Sequence, residues 1–402
     1  ITIFGSLASI FFLYKLVRKH INQTTGFATA FFFAFLPFSI YYGRTILPDQ
    51  LMVTATLGGI YFFDLWIEKS AKIKDSSFAN ASADKQKSKT KLKVQSFWFY
   101  FMSLLFTASA LLLKPYAIFF LLPVVYLSYR KFGNKMFLKW EMWVFGILAI
   151  APLAAWRWWL TQFPEGVPVS NWLFNEGNVR FKPFWLRWIL FERLTKLILG
   201  YSGVIFVILG LLWQKKEKDY LFMAPFILGS LLYVFIIARG NLQHDYYQIL
   251  IIPTICILLG RGVSFILSLK FYKPVLIGSV VLVTASMLYF SWISVKGYFN
   301  INNSYIVSAG SQADRLLPKD ALVIAPYDGD TTLLYYTKRQ GWPAFQNSIE
   351  ELIEMGADYL VLQNPIEQDR VNYPLSYKVI ASNSAVLILD LRQSEVQPGF
   401  MR

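Results

Sequence analysis

The stretch that decides how this chain reads is 240–253, GNLQHDYYQILIIP. It lies between two apolar runs, 220–238 and 249–260. Both runs suit a lipid interior, so GNLQHDYYQ is either the exposed turn between them or the lining of a cavity. His244, one of only two histidines, sits here and is followed by Asp245, Tyr246 and Tyr247, all able to hydrogen-bond. Such a cluster at a membrane boundary is costly unless it is solvated or functional. The plainer reading is an interfacial belt, since Tyr and Trp gather at headgroup level for amphipathic reasons. A belt accounts for the tyrosines but not for the adjacent His-Asp pair.

The composition around this stretch is that of an integral membrane protein. Of 402 residues, 55% are hydrophobic, 18% aromatic and 16% charged, with mean hydropathy +0.43. A soluble domain carries about 25% charged residues. The formal charge of +15 would suggest nucleic acid in a soluble chain, but basic cytoplasmic loops explain it more simply here. The single cysteine, Cys256, lies in an apolar run and excludes a disulfide framework. The chain begins at Ile1 with no cleavable signal pattern, and the expectation is that its amino-terminal end is missing.

Apolar runs alternate with basic turns along residues 1–294, which predicts an α-helical polytopic domain of about ten spans. Residues 68–96, rich in Lys, Ser and Ala, read as a flexible cytoplasmic loop; few aromatics are present there to stack bases, so no nucleic-acid partner is expected. The runs 97–113 and 116–129 flank Lys114-Pro115 and are each short for a bilayer core of about 30 Å. Lys114 either lies in a recess at a hairpin tip or simply snorkels. Residues 161–193 form an outer interfacial segment whose tail, FKPFWLRWILFER (181–193), mixes aromatics with Lys182, Arg187 and Arg193. That tail predicts a helix in the interface plane, with Lys182 and Arg187 touching lipid headgroups or seating an anionic lipid phosphate. Alternation places Arg44, Asp49, Lys114, the 161–193 segment and HDYYQ on one side, the outer one, where they can share a cavity.

Residues 295–402 change character. Strands are expected at ALVIAP (321–326), DYLVLQN (358–364) and AVLILDL (385–391), with helices near 304–317, 331–339 and 348–355. This predicts a small extracytoplasmic α/β domain. Asp328-Gly329-Asp330 reads as a turn before a helix cap, and no GxGxxG supports a phosphate loop.

Zinc spacing and a GxSxG elbow are both missing from the sequence. What remains is a set of outward-facing charges. Arg44 can grip a phosphate or pair with Asp49, and Asp49 can hold Arg44 or ligate a divalent ion. His20 reads as part of the basic end formed with Arg18 and Lys19. The hydroxyls of Tyr246 and Tyr247 can donate to a phosphate or a sugar.

These pieces resemble the bacterial GT-C glycosyltransferases, the group that includes protein O-mannosyltransferases, the aminoarabinose transferase of lipid A and the RgtA/B/C/D-like enzymes. The matching stretches are YYGRTILPDQL (41–51), LLLKPYAIFFLLP (111–123), HDYYQILIIP (244–253), LLYYTKRQGW (333–342) and MGADYLVL (355–362). The resemblance implies transfer of a sugar from a polyprenyl-phosphate donor, with inversion, to a glycan, lipid or protein acceptor outside the bacterial cytoplasmic membrane. It implies Arg44, Asp49, Lys114, His244, Tyr246 and Tyr247 as donor-phosphate or cavity residues. It also implies a general base in a first outer loop, expected upstream of Ile1. The reading fixes no cofactor and leaves a divalent metal open, with Asp49 as its candidate ligand. Two rival readings are a lipid or glycan transporter and a non-catalytic envelope scaffold. A transporter should show inverted repeats and mid-membrane charges, which the sequence does not display.

Overall fold

Prolines and small polar residues punctuate the first part of the chain. Helix α1 (Thr2–His20) ends at Ile21, and the Asn22 side chain accepts from the Thr25 amide to cap α2 (Gln23–Phe35). Pro37 and Pro48 start the short α3 (Pro37–Tyr42) and the long α4 (Pro48–Asp75), each at a position whose amide needs no partner. Next come α5 (Ala83–Leu113), α6 (Leu122–Phe132) and α7 (Trp140–Leu160). Beyond them lie α8 (Trp172–Asn175), α9 (Pro183–Arg187), a π-helical run Trp188–Ile198 and α10 (Gly203–Leu212). The unit closes with α11 (Ala224–Ile236), α12 (Ala238–Gln243), α13 (Ile252–Ser268) and α14 (Lys273–Val295).

The computed structural model describes residues 1–75, 83–163, 172–212, 219–299, 303–327 and 329–394. They divide into two units, Ile1–Phe299 and Asn300–Arg402. The basic residues Lys215, Lys216 and Lys218, and Asp328, lie outside the described residues.

Helix α13 is the buried axis of the first unit, packed against α2 and α10. Its Gly262 meets the backbone of Phe206 on α10, where a Cβ would fall 2.1 Å from a carbonyl oxygen; only a glycine permits that approach. By contrast, α7 and α14 expose most of their apolar side chains, as helices facing lipid do. Among the described residues, five helices are long and apolar enough to cross a membrane, and a sixth arises if the pair Pro183–Ile198 and Gly203–Leu212, bent by 114°, is one span. The remaining runs that suggested about ten spans are shorter or carry charge, like α1 with Arg18, Lys19 and His20 in its last turn.

Two expectations for this unit need correction. The loop foreseen at 68–96 is mostly helical: α4 continues to Asp75 and α5 starts at Ala83. Lys, Gln, Glu and Ala are strong helix formers, so low hydrophobicity there did not mean loss of helix; residues 76–82 lie outside the described residues. His20 is not part of a solvated basic end. It is buried, stacked on Phe222 with ring centroids 4.2 Å apart, and its Nε2 lies 3.2 Å from Asp64 while Nδ1 lies 3.6 Å from Asp219. Lys19 pairs with Asp64 at 2.7 Å, Tyr126 donates to Asp219 at 2.5 Å, and Arg130 also donates to Asp219. Burial alone would raise the Asp219 carboxyl, but His20, Tyr126 and Arg130 together hold it below its ordinary range. This cluster ties α1, α4 and α6 to the chain entering α11.

The second unit is a five-stranded sheet with helices α15 (Ser304–Leu316), α16 (Thr332–Thr337), α17 (Ile349–Glu354) and α18 (Glu367–Asn372). Its strands are β1 (Leu322–Ile324), β2 (Gln340–Trp342), β3 (Tyr359–Gln363), β4 (Tyr377–Ser382) and β5 (Val386–Ser394), in the order β2-β1-β3-β5-β4. The strands β2, β1 and β3 run parallel, while β5 is antiparallel to both β3 and β4. Two apolar clusters form within the unit, one containing Val323 and Val361 and the other Ile324 and Leu360. Alternate residues of β1 and β3 thus bury on both faces, as strands covered on two sides must.

Candidate functional site

Two breaks in the helices build the site, and they share one design. At the first, α5 ends at Leu113 because Pro115 disfavours a helical conformation in the residue before it. Lys114 is extended (φ −151°, ψ 122°), a seven-residue 3-10 turn Pro115–Leu121 follows, and α6 starts with Pro123 in its first turn. At the second, α12 ends at Gln243 and His244 is extended (φ −117°, ψ 123°). A seven-residue 3-10 turn Asp245–Ile251 follows, and α13 starts with Pro253 in its first turn. KPYAIFFLLP and HDYYQILIIP therefore align residue for residue, a signal present in the sequence that the motif-by-motif reading passed over.

The two breaks meet. Lys114 Nζ lies 2.7 Å from Asp49 Oδ1, and both side chains are largely shielded, at 16% and 1% exposure. Asp49 occupies the first turn of α4, where the helix dipole favours a carboxylate. The same ammonium lies 4.9 Å from the Tyr247 ring centroid and 5.4 Å from that of Tyr246. His244 stacks on Tyr246 at 5.2 Å and on Tyr247 at 5.9 Å, and Trp172 meets it edge-on at 5.8 Å. Tyr116, from the first break, reaches the Tyr247 ring at 6.2 Å. The buried Tyr233 hydroxyl donates to the Tyr247 carbonyl at 3.2 Å. The result is an aromatic shelf with one ammonium beside it. Burial, and then the charges of Arg193 and Lys114, push the His244 imidazole below its ordinary range, with Asp245 opposing.

Asp245 binds the neighbouring elements to this shelf. It accepts from the Tyr42 hydroxyl of α3 at 2.5 Å and from the Tyr298 hydroxyl, and Arg193 Nη1 stands 3.7 Å away. The segment 172–198 is stitched to α12 and its approach through carbonyl oxygens: Arg180 donates to Ile236, Trp185 to Ala238 and Arg193 to Leu242, at 3.2, 3.0 and 3.1 Å. Gly240 makes room for this, since a Cβ there would sit 3.0 Å from the Tyr247 ring.

The structure thus brings Asp49, Lys114, His244, Tyr246 and Tyr247 together. Arg44 does not pair with Asp49. Pro48 starts a new helix between them, so the two residues never share a face, and Asp49 is taken by Lys114. Arg44 is exposed and lies 4.4 Å from the Phe299 ring and 5.7 Å from that of Tyr41. Tyr41 in turn packs on Tyr42 and Tyr298, so Arg44 borders the same cluster. Lys182 and Arg187 are exposed, next to exposed Phe181 and Trp188. Tyr42, Tyr116, Trp172 and Tyr298 are site neighbours that the sequence did not single out, and Arg193, named there only as part of the interfacial tail, is another. In the second unit, LLYYTKRQGW serves structure: buried Arg339 donates to the Leu317 and Pro318 carbonyls at 2.6 Å and pairs with Asp314 at 2.9 Å.

Comparison with known proteins agrees with this architecture. The family described as dolichyl-phosphate-mannose-protein mannosyltransferase matches residues 1–82. Two crystal structures of ArnT from Cupriavidus metallidurans share the fold. The one bound to undecaprenyl phosphate superposes with TM-score 0.61 at 12% identity, covering 96% of this chain and 83% of that one. The apo form gives TM-score 0.52 at 11% identity, over 96% and 82%. No curated protein matches the sequence. The family match thus covers the start of the chain, and an ArnT-like fold runs along nearly its whole length.

Proposed function

We propose that this protein moves a sugar from a polyprenyl-phosphate donor to a glycan, lipid or protein acceptor, with inversion, at the outer face of the bacterial cytoplasmic membrane. In this arrangement about ten spans cross the bilayer, the short helices included, and the unit after Phe299 lies outside. The observation that carries the proposal is the meeting of Lys114 with the His244–Tyr246–Tyr247 shelf. When the bond between sugar and phosphate breaks, its electron pair leaves on a phosphate oxygen. A shielded ammonium fixed beside that oxygen stabilises the growing charge strongly, because little water screens it. Arg44, set against the rings of Tyr41 and Phe299, supplies a second cation at the rim. The aromatic rings offer the apolar faces of a sugar a surface to stack on. Lys182 and Arg187 are proposed to contact lipid headgroups.

The carrier class draws support from the ArnT structure, which holds undecaprenyl phosphate. An apolar cleft of about 220 Å³ between α5, α6 and α7 starts within a turn of Lys114, at Leu111 and Ile118. It shares Met136, Met142, Gly146 and Ile150 with a trough of about 610 Å³ along α7. An isoprenoid tail fits such a lining. The test is transfer from a polyprenyl-phosphate sugar by the full-length protein in detergent or liposomes. Lys114→Ala and Arg44→Ala should each lower the rate by about 10²-fold or more, the scale of losing one fixed charge stabiliser. Wild-type rates in both would end the proposal.

A further inference from the structure

The carboxylate at the mouth with the most partners is Asp245, and the transfer chemistry above leaves it without a task. Its two oxygens are occupied by Tyr42 and Tyr298, residues 203 and 53 positions away, with Arg193 at 3.7 Å. It is therefore poorly placed to take a proton from an acceptor, and well placed to hold things still.

What needs holding is the turn it begins. Asp245–Ile251 is a seven-residue 3-10 turn, whereas such turns rarely exceed about 4 residues because their hydrogen bonds are poorly aligned. The matching turn at Lys114 is the same length and begins with Pro115, whose ring fixes φ for the first position. The second turn has Asp245 at that position and lacks the ring. Instead, its first side chain is tethered by two charge-assisted hydrogen bonds, from Tyr42 and Tyr298, which run about twice as strong as neutral ones, with the Arg193 guanidinium 3.7 Å away.

We propose that Asp245 is a positioning residue for the transfer reaction. By gripping Tyr42, Tyr298 and Arg193 it fixes the turn that carries Tyr246 and Tyr247, and so sets the distance from the aromatic shelf to Lys114. The inference rests on the donor-site reading above. It assigns specificity for donor geometry to a residue that touches no substrate.

The experiment measures kcat and KM for a polyprenyl-phosphate sugar, per folded molecule, in the full-length protein. The variants are Asp245→Ala, Asp245→Asn, Asp245→Pro and the Tyr42→Phe/Tyr298→Phe pair. Loss of positioning should lower kcat/KM about 10²-fold in Asp245→Ala, the cost of misplacing a substrate by roughly 1 Å. Asp245→Asn, which still accepts from Tyr42, should fall between. Asp245→Pro should exceed Asp245→Ala, because a ring at this position restores what Pro115 supplies at the other break; a residue needed only for folding would show no such rescue. Wild-type kcat/KM in folded Asp245→Ala overturns the inference. Should that variant not fold, wild-type constants in the Tyr42→Phe/Tyr298→Phe pair overturn it equally. Lys114→Ala separates the two levels. Full transfer in that variant strikes the donor-site reading, and this inference with it. Loss there alongside full transfer in the Asp245 and tyrosine variants strikes this inference alone.

Discussion

Replacing Lys114 removes two things, a substrate contact and the partner of a buried carboxylate, and the structure allows them to be told apart. At 2.7 Å and an effective dielectric of about 20, the Coulomb attraction between Lys114 and Asp49 is on the order of 6 kcal/mol before any desolvation cost. Breaking one side of a shielded pair typically destabilises by about 3–5 kcal/mol, because the surviving charge is left uncompensated. Lys114→Ala should therefore lower unfolding stability by roughly that amount. The double variant Asp49→Asn/Lys114→Ala leaves no stranded charge. Its loss should be smaller than that of Lys114→Ala alone, with a coupling of about 2–3 kcal/mol between the positions. Thermal or denaturant unfolding in one detergent, followed by tryptophan fluorescence, reads the stability, and transfer from a polyprenyl-phosphate sugar reads the function. The expected pattern is recovery of stability without recovery of transfer. Additive losses would show that the pair is not coupled. Restored transfer in the double variant would show that Lys114 acts only by neutralising Asp49, and the catalytic assignment would be refuted.

The other expectations concern the buried His20 cluster and His244. Replacing buried His20 with Ala should cost about 3 kcal/mol or more, because it opens a cavity beside Phe222 and leaves Asp64 and Asp219 each one partner short, whereas Lys19→Ala, at a side chain 38% exposed, should cost under about 1 kcal/mol. Equal melting shifts for the two would show that the cluster is not a buried network. For His244, the lowered imidazole is neutral near pH 7. The stability it contributes is fully present above its unfolded value of about 6.5 and is lost as pH falls through its lower folded value. The donor phosphodiester keeps one charge throughout this range, so donor KM should be flat from pH 7 to 8 and change only on the acid side. A change centred at or above pH 7 that His244→Gln abolishes would contradict the assignment.

How much of this was legible depended on distance along the chain. The helical class, the sheet-bearing second unit and the two polar breaks are local patterns, written in apolar runs, alternation and proline. Helices at 304–317, 331–339 and 348–355 appear within a residue or two of their expected bounds, because their caps are sequence-local. The strand β4 was not foreseen, since YKVIAS is an edge strand without a buried face and shows no alternation. Nor was β2, which has three residues and a glycine at φ 146°. Partner choice was the least legible. Arg44 and Asp49 are five residues apart, which suggested a pair, yet the partner of Asp49 is 65 residues away. His20 lies next to two basic residues in sequence and against two acids in space. Adjacency in sequence says little about pairing once a proline or a helix end intervenes.

Broken helices in a membrane protein are tolerated only where something else satisfies the groups the break sets free. At the first break the polar group is the Lys114 ammonium, which α4 meets through Asp49; at the second the Ala238 and Leu242 carbonyls accept from Trp185 and Arg193, and the Asp245 carboxylate accepts from Tyr42 and Tyr298. Each compensating group belongs to a different part of the chain. The contacts that make the breaks affordable in a bundle are thus the same contacts that draw α3, α4, the 172–198 segment and the residues after α14 around one mouth. A cation and an aromatic shelf placed on unbroken helices would need no such partners, and nothing would then force them to converge. It follows that site residues here carry structural weight by construction, and that loss of activity in a single variant says nothing about chemistry until the stranded partner has been removed as well.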